Sequence, residues 1–312
     1  MVVFDRRDWL RLVFAVRGSA MRAIGLRVLL ASGIAAFVTA GHLAWDLLHT
    51  NLTPLPFTLV GLALSIFLGF RNNTAYDRFW EGRKLWGRLV NVSRSMAVRH
   101  LTLVRAPTPA EAEEVAAWQR RQVHRQIAYV YALKQHLRGE VAPQELAGLL
   151  PAAELDAQHH ELNLPYAIAH DLARELAEAQ RRGWLEPVHL PLLDADIASL
   201  LDIQGGCERI RATPIPFAFT VLMHRIVAIY CLSLPFGIIG QVGAYTPVVV
   251  GLISYAFFGL DAVGDEIEDP FGIDSNDLPL ATLSRLIEVN LRQRLGEQDL
   301  PPLLQPVRGI LR

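Results

Sequence analysis

The chain has 312 residues, of which 52% are hydrophobic and 20% charged, and its mean hydropathy is +0.25. A soluble domain carries about 25% charged residues, so this balance argues against an ordinary soluble domain and is typical of a membrane protein with a substantial aqueous part. The formal net charge of −1 gives no basic footprint for nucleic acid, and no nucleic-acid partner is expected.

Three long stretches lack Asp, Glu, Lys and Arg: residues 28–45, 47–70 and 226–260. A membrane-spanning helix needs about 20 apolar residues. The first stretch suffices for one helix, with Asp46 at its outer end. The second stretch contains a turn signal, TPLP at residues 53–56, followed by one helix.

The third stretch is too long for one span, and the sequence GQVG at residues 240–243 together with Pro247 divides it into two. The sequence therefore predicts four transmembrane helices, at about 26–48, 55–70, 222–240 and 246–263. The block between the second and third spans is rich in Ala, Leu, Glu, Arg and Gln, which favour helices. The predicted fold class is an all-α membrane protein with a large helical cytosolic region.

The positive charges predict the orientation of the spans. The first 27 residues contain Arg6, Arg7, Arg11 and Arg17 among six arginines, whereas the loops at 49–55 and 241–247 carry no charge. We therefore expect a multi-pass protein of the bacterial inner membrane with both termini in the cytoplasm. The predicted segments are a cytosolic N-terminal segment 1–25, transmembrane helices 26–70, a cytosolic helical region 71–221, transmembrane helices 222–263 and a cytosolic C-terminal segment 264–312.

The second span carries two stripes of residues at intervals of four. Small residues, which let helix backbones approach in lipid, form one stripe: Gly61, Ser65 and Gly69. Larger apolar residues about 100° around the helix form the other: Leu62, Ile66 and Phe70. If copies of this helix surround an axis, the small stripe can seat a neighbouring copy, and the large stripe can form a narrow apolar constriction that gates by dewetting.

Ionisable residues near the spans have structural explanations. Acids that follow the fourth span, from Asp261 to Asp269, are expected to pair with arginines of the 71–94 segment or to cap helices. His42 is the only ionisable residue inside the first span, and we interpret it as an interhelical hydrogen bonder. No nucleotide-binding loop or convergent catalytic set can be assembled, so neither an enzyme nor a cofactor is expected.

Three further segments resemble the bestrophin family, most closely its bacterial members. Residues 70–87 read FRNNTAYDRFWEGRKLWG, the long conserved stretch after the family's second span. Residues 205–217 contain GGCERI and then TPIPF, which resemble the start of its third span. Residues 264–272 read GDEIEDPFG, where the family has Asn-Pro-Phe-Gly after its fourth span.

This resemblance implies a homopentameric ion channel in the lipid bilayer with one pore on the five-fold axis. Its membrane neck maps to Leu62, Ile66 and Phe70, the large stripe described above. The family conducts small inorganic ions, with chloride and other anions as the usual permeant species. Arg71, at the end of the second span, is a candidate for the pore mouth, where it would attract anions; snorkelling or pairing with an acid is the alternative.

The resemblance also implies a second constriction, a cytosolic aperture lined by an apolar residue before the GGCE helix. Val188 and Leu185 are the candidates, and no motif fixes the register between them. Eukaryotic members carry a calcium clasp of consecutive acids after Pro-Phe-Gly, but here only Asp274 and Asp277 remain, and calcium requires six to eight oxygen ligands. We therefore assign no metal site and treat these two acids as a remnant of the clasp.

Two other functions stay open at this point. A channel of the same fold could conduct monovalent cations such as sodium, because an uncharged neck sets a barrier of size and wetting rather than a charge filter. A secondary transporter is the second alternative, although such proteins use ionisable groups near the membrane midplane and often inverted repeats. The spans here offer only His42 and no repeat.

Overall fold

The computed structural model describes residues 1–2, 13, 18, 21–45, 53–158, 160–307 and 309–311. Within these residues the fold is all-α, as predicted, and backbone pairing between extended segments is limited to isolated bridges. The helices are α1 Met21–Trp45, α2 Leu55–Leu103, α3 Ala112–Arg138, α4 Ala152–Gln158, α5 Leu164–Arg181, α6 Leu190–Ala212, α7 Phe217–Val242, α8 Thr246–Glu268 and α9 Leu280–Arg294.

Three helical runs contain a stretch long and apolar enough to cross a membrane: Ala23–Ala44, Leu55–Leu103 and Phe217–Glu268. The last run comprises α7 and α8, which a short 3-10 turn at Gly243–Tyr245 separates. Gly243 has a φ of 58° and a ψ of −129°, a conformation that side chains disfavour, and Pro247 occupies the first turn of α8. The break thus falls where the glycines and Pro247 predicted it.

Several sequence-based expectations concern residues outside those that the structure describes. The predicted orientation depends on Arg6, Arg7, Arg11 and Arg17, and Asp46 is the predicted outer end of the first span. These five residues lie outside the described residues. Most of the loop at 49–55 also lies outside the described residues. The predicted segment boundaries and the number of spans stay predictions.

The chain divides into two compact units. The membrane unit comprises the described residues between 4 and 80 together with Pro214–Asp269. Its core is formed by buried apolar residues of α1, α2, α7 and α8: Ile24, Ala31, Ala35, Leu64, Leu68, Val227, Tyr230, Cys231, Leu234, Val250, Phe258 and Ala262. Small residues such as Ala31 and Ala35 allow close helix contact where lipid gives no hydrophobic driving force.

The large unit comprises Met1–Val3, Glu81–Thr213 and Pro270–Arg312. The helix α3 lies at its centre, because α5, α6 and α9 all contact it. Large side chains fill its core, among them Trp86, Trp118 and Tyr129. The Tyr129 hydroxyl donates a hydrogen bond to the Leu200 carbonyl at 2.7 Å, so this buried polar group has a partner.

Candidate pore-lining face of the second membrane helix

One face of the membrane part of α2 packs against the other helices of the membrane unit. Its buried residues are Gly61, Leu64, Leu68, Arg71 and Ala75. Their spacing of three or four residues places them on a single face of an α-helix. This face therefore fixes how α2 sits on its own protomer.

The large stripe lies on the opposite face of the same helix. At about 100° per residue, Ile66 is diametrically opposite the middle of the buried face, and Leu62 and Phe70 flank it closely. Leu62 is 62% exposed, Ile66 51% and Phe70 63%. The structure thus brings the three predicted neck residues together on one face that none of the described helices covers. Their role as a pore neck stays a prediction at this point.

Two hydroxyl groups on the exposed part of α2 donate hydrogen bonds to carbonyls of the same helix. The Ser65 hydroxyl donates to the Gly61 carbonyl at 2.8 Å, and the Thr74 hydroxyl donates to the Phe70 carbonyl at 3.0 Å. Such back-bonding removes the hydroxyl donors from competition for an ion or a ligand. The exposed stripe therefore presents hydrocarbon and no fixed charge between Leu55 and Phe70.

The small stripe has two different environments. A Cβ atom added to Gly61 would lie 2.6 Å from the Tyr230 hydroxyl oxygen, so this glycine accommodates a side chain of α7 in the same protomer. Gly69 has open space around it, and Ser65 is exposed. The expectation that the whole stripe seats a neighbouring copy is therefore corrected at Gly61, where the protomer itself occupies the space.

The structure also corrects the assignment of Arg71 to the pore mouth. Its side chain is buried and lies on the inward face of α2. Its Nη1 donates to Asp261 Oδ1 at 2.7 Å, and its Nη2 pairs with Asp265. The alternative interpretation, pairing with an acid of the segment after the fourth span, is confirmed. The positive charge of Arg71 is therefore neutralised within the protomer.

His224, which is partly exposed, extends this charge network, and sequence reasoning missed this role. Its Nδ1 lies 2.7 Å from Asp261 Oδ2, and its Nε2 lies 3.6 Å from Asp265 Oδ2. The histidine and the two acids offer ligand atoms within 4.8 Å of one another, a spacing that could hold a metal ion. Arg71 already places its positive charge on both carboxylates, however, so the group is built as an ion-pair network joining α2, α7 and α8.

The two candidates for the cytosolic aperture differ in exposure. Leu185 is 1% exposed, and its side chain is therefore enclosed in the large unit. Val188 is 71% exposed. The structure corrects the assignment of Leu185, because an enclosed side chain cannot line an opening, and it leaves Val188 as the candidate that can.

The acids of the predicted clasp remnant shape a turn. The carboxylate of Asp277, which is buried, accepts a hydrogen bond from the backbone amide of Asp274 at 2.7 Å. The amide of Asp277 in turn donates to the Asp274 carbonyl at 3.2 Å. Asp277 therefore stabilises the loop that precedes α9.

The conserved motifs contact one another within each unit. In the membrane unit, the Asn72 amide donates to the Leu260 carbonyl at 3.0 Å, and the Arg78 guanidinium donates to the Glu268 carbonyl at 3.1 Å. In the large unit, a Cβ atom at Gly82 would lie 3.1 Å from the Phe271 ring. The second segment joins them, because a Cβ atom at Gly206 would lie 3.0 Å from the Leu85 side chain and the Ile215 amide donates to Glu268 at 2.8 Å. Each of the three segments that carry the family resemblance thus contacts another of the three.

Comparison with known proteins identifies the family. The profile described as "Bacterial/Fungal Bestrophin protein" matches residues 1–293. This chain belongs to the bestrophin family. Similar curated relatives of this bestrophin include "voltage-dependent anion channel-forming" proteins of Mesorhizobium japonicum, 41% identical over 98% of this chain and 95% of the relative, and of Ralstonia nicotianae, 38% identical over 96% of each chain.

Solved structures agree with this bestrophin assignment. The crystal structure of a bacterial bestrophin homologue from Klebsiella pneumoniae, phased with zinc, is similar to this chain with a TM-score of 0.81 and 34% identity, covering 88% of this chain and 100% of that one. A crystal structure of a membrane protein with a G264A substitution has a TM-score of 0.82 at 33% identity, with the same coverage. The bestrophin fold predicted from the three motifs is therefore confirmed.

Proposed function

We propose that this bestrophin is an anion channel whose pore is lined by the exposed stripe of α2 in a homopentamer. The observation that carries the proposal is the position of Leu62, Ile66 and Phe70. They lie on the side of α2 opposite the face that packs against the described helices of the membrane unit, and all three are exposed. When identical protomers surround an axis with α2 innermost, this face points at the axis.

The chemistry of the stripe suits a neck that controls wetting. Rings of Leu, Ile and Phe side chains form a constriction in which water is unstable, so widening or hydration of the neck opens the path. The neck contributes no charge, and Arg71 is neutralised by Asp261 and Asp265. Anions are proposed as the permeant species because the curated relatives are named as anion channel-forming proteins.

The proposal includes a bacterial inner-membrane location with both termini in the cytoplasm and the large unit on that side. It places Val188 at a second, cytosolic aperture, since its side chain is 71% exposed and apolar. A channel function requires no catalytic residue or cofactor.

A reversal-potential measurement on the purified protein in planar bilayers tests the ion preference. With a tenfold gradient of KCl, a channel selective for chloride reverses near the chloride equilibrium potential. Reversal near the potassium equilibrium potential, or near the sodium equilibrium potential in NaCl, would show that the channel conducts cations rather than anions. Saturable flux coupled to protons, without a conductive current, would instead identify a transporter.

The triple variant L62A/I66A/F70A tests the neck. Smaller side chains widen and hydrate the constriction, so we expect a conductance at least severalfold above that of the unmodified channel. The matched control is F67A, because Phe67 is also exposed and apolar but lies about 100° around the helix from Ile66. Loss of all current in the triple variant, with subunit assembly retained, would contradict the proposed neck.

A further inference from the structure

A cationic cavity of about 260 Å³ lies in the large unit. One wall is a single face of α3 that carries Arg120, Arg121, His124 and Arg125. The opposite wall is the loop at 148–151, just before α4. Ligand pockets for drug-sized molecules have volumes of about 300–1,000 Å³, so this cavity suits a smaller ligand.

Arg125 belongs to this wall and is 2% exposed. Its Nη2 donates to both carboxylate oxygens of Glu154, at 2.7 and 2.9 Å. Its Nε and Nη1 have no hydrogen-bond partner among the residues that the structure describes. Buried donors normally find a partner, and leaving a charged donor unsatisfied is costly. Arg125 is therefore a buried guanidinium in the cavity wall that Glu154 satisfies only in part.

The acids around the cavity do not balance its positive charge. Glu154 is taken by Arg125, and Glu297 is shared between His124 at 2.7 Å and Arg292 at 3.1 Å. The pKa of Glu114 is lowered, mainly by a hydrogen bond from Arg182 and to a smaller extent by the nearby charge of Arg121. Arg120 and Arg121 are exposed, so their guanidinium groups can move onto an anion that enters the cavity.

We propose that the cationic cavity binds a phosphate group, as inorganic phosphate or as the phosphate of a small monoester. The planar guanidinium fork matches phosphate oxygens and forms two parallel hydrogen bonds to them. Three arginines on one helix face, one of them held in place by Glu154, supply more such donors than a single chloride ion can accept. The site lies in the large unit, and the argument for phosphate binding does not depend on the proposed pore.

Thermal unfolding of the purified full-length protein in detergent tests this site. The probes are inorganic phosphate, glycerol 3-phosphate and, at equal ionic strength, chloride. We expect saturable stabilisation by phosphate, since a ligand that binds only the folded state raises its stability, and no such effect of chloride. Stabilisation by glycerol 3-phosphate at lower concentration would identify a monoester site, and a preference for phosphate would identify a site for the free ion.

The variant R120Q/R121Q should weaken phosphate binding about tenfold or more, because each substitution removes a charged bidentate donor. Both arginines are exposed, so the variant retains its fold. The matched control is R174Q/R181Q, which removes the same charge from two exposed arginines of α5 outside the cavity. Equal phosphate binding by all three proteins, or an equal effect of chloride, would overturn the proposal.

Discussion

The two faces of the membrane part of α2 have similar apolar residues but opposite surroundings. Leu64 and Leu68 are enclosed by the other helices of the protomer, whereas Leu62, Ile66 and Phe70 are exposed. A face enclosed by its own chain stabilises the protomer, and a face that the chain leaves exposed is available for assembly or for a pore. The difference shows that the surroundings of a residue, rather than its hydrophobicity, indicate its function in this helix.

The largest expected effect on stability comes from the buried ion pair between Arg71, on the enclosed face of α2, and Asp261. The substitution R71A removes the guanidinium that pairs with Asp261 at 2.7 Å. This carboxylate, which is 1% exposed, then retains only the partly exposed His224 at 2.7 Å and Arg27 at 3.9 Å. Removing one member of a buried pair costs about 3–5 kcal/mol. We expect a loss of that order in the free energy of unfolding, measured by chemical denaturation in mixed micelles.

The control for this prediction is R27A. Arg27 approaches the same carboxylate of Asp261 at 3.9 Å, but its side chain is 48% exposed, and an exposed pair contributes about 0–1 kcal/mol. A loss for R27A as large as that for R71A would mean that burial does not separate the two arginines.

The next effect concerns a buried group of α2 in the large unit, beyond the proposed span. Burial lowers the pKa of His100 from 6.5 to about 4. Because the unfolded chain binds the proton first as the pH falls, this group has no effect above pH 6.5 and lowers stability progressively between pH 6.5 and 4. A shift of this size corresponds to about 3 kcal/mol.

The substitution H100Q removes the titrating group and should reduce the acid-induced loss of stability by about that amount. Unfolding of both proteins is measured by the same method at pH 7.0, 5.5 and 4.5. The carboxylates titrate equally in both proteins, so the difference isolates His100. Identical pH profiles would show that His100 accepts its proton in the folded protein.

The smallest effect compares two glycines of the small stripe. The substitution G61A places a methyl group 2.6 Å from the Tyr230 hydroxyl oxygen, whereas G69A meets nothing within 4 Å. Overpacking typically costs about 1–3 kcal/mol, while an alanine in an open helix position gains up to about 1 kcal/mol. We expect G61A to lower the midpoint of thermal unfolding and G69A to leave it unchanged or raise it.

Equal behaviour of the two glycine variants would mean that Tyr230 does not fill the space beside Gly61. The outcome also bears on assembly, because Gly69 is the glycine of the pair that remains open to a neighbouring copy.

Much of this structure follows from the sequence. The uncharged stretches predicted the apolar helices, the glycines near 243 and Pro247 predicted the break between α7 and α8, and three motifs predicted the family. The spacing of Leu62, Ile66 and Phe70 predicted that they share a face. These features depend on neighbouring residues in the chain or on long motifs, so they can be predicted from one sequence without knowing how the helices pack.

The direction in which each face points could not be predicted. Every face of the second span is apolar, so periodicity could not show that Gly61 meets Tyr230. Arg71 and Asp261 are far apart in the sequence, and only the packed helices show that the arginine is enclosed. The same holds for Leu185 and Val188. Both are apolar residues in one short segment, and only the structure shows that the first is enclosed and the second exposed.

Cysteine accessibility at Ile66 and Leu64 tests the central claim most directly. The two native cysteines, Cys207 and Cys231, are buried. A thiol reagent therefore reports on the introduced cysteine alone in I66C and in L64C. A small charged thiol reagent should modify I66C from water and block the current, because this side chain faces the pore, and should leave L64C unmodified. Current through I66C that the reagent never changes, with the cysteine reached only from lipid by an apolar reagent, would contradict the account.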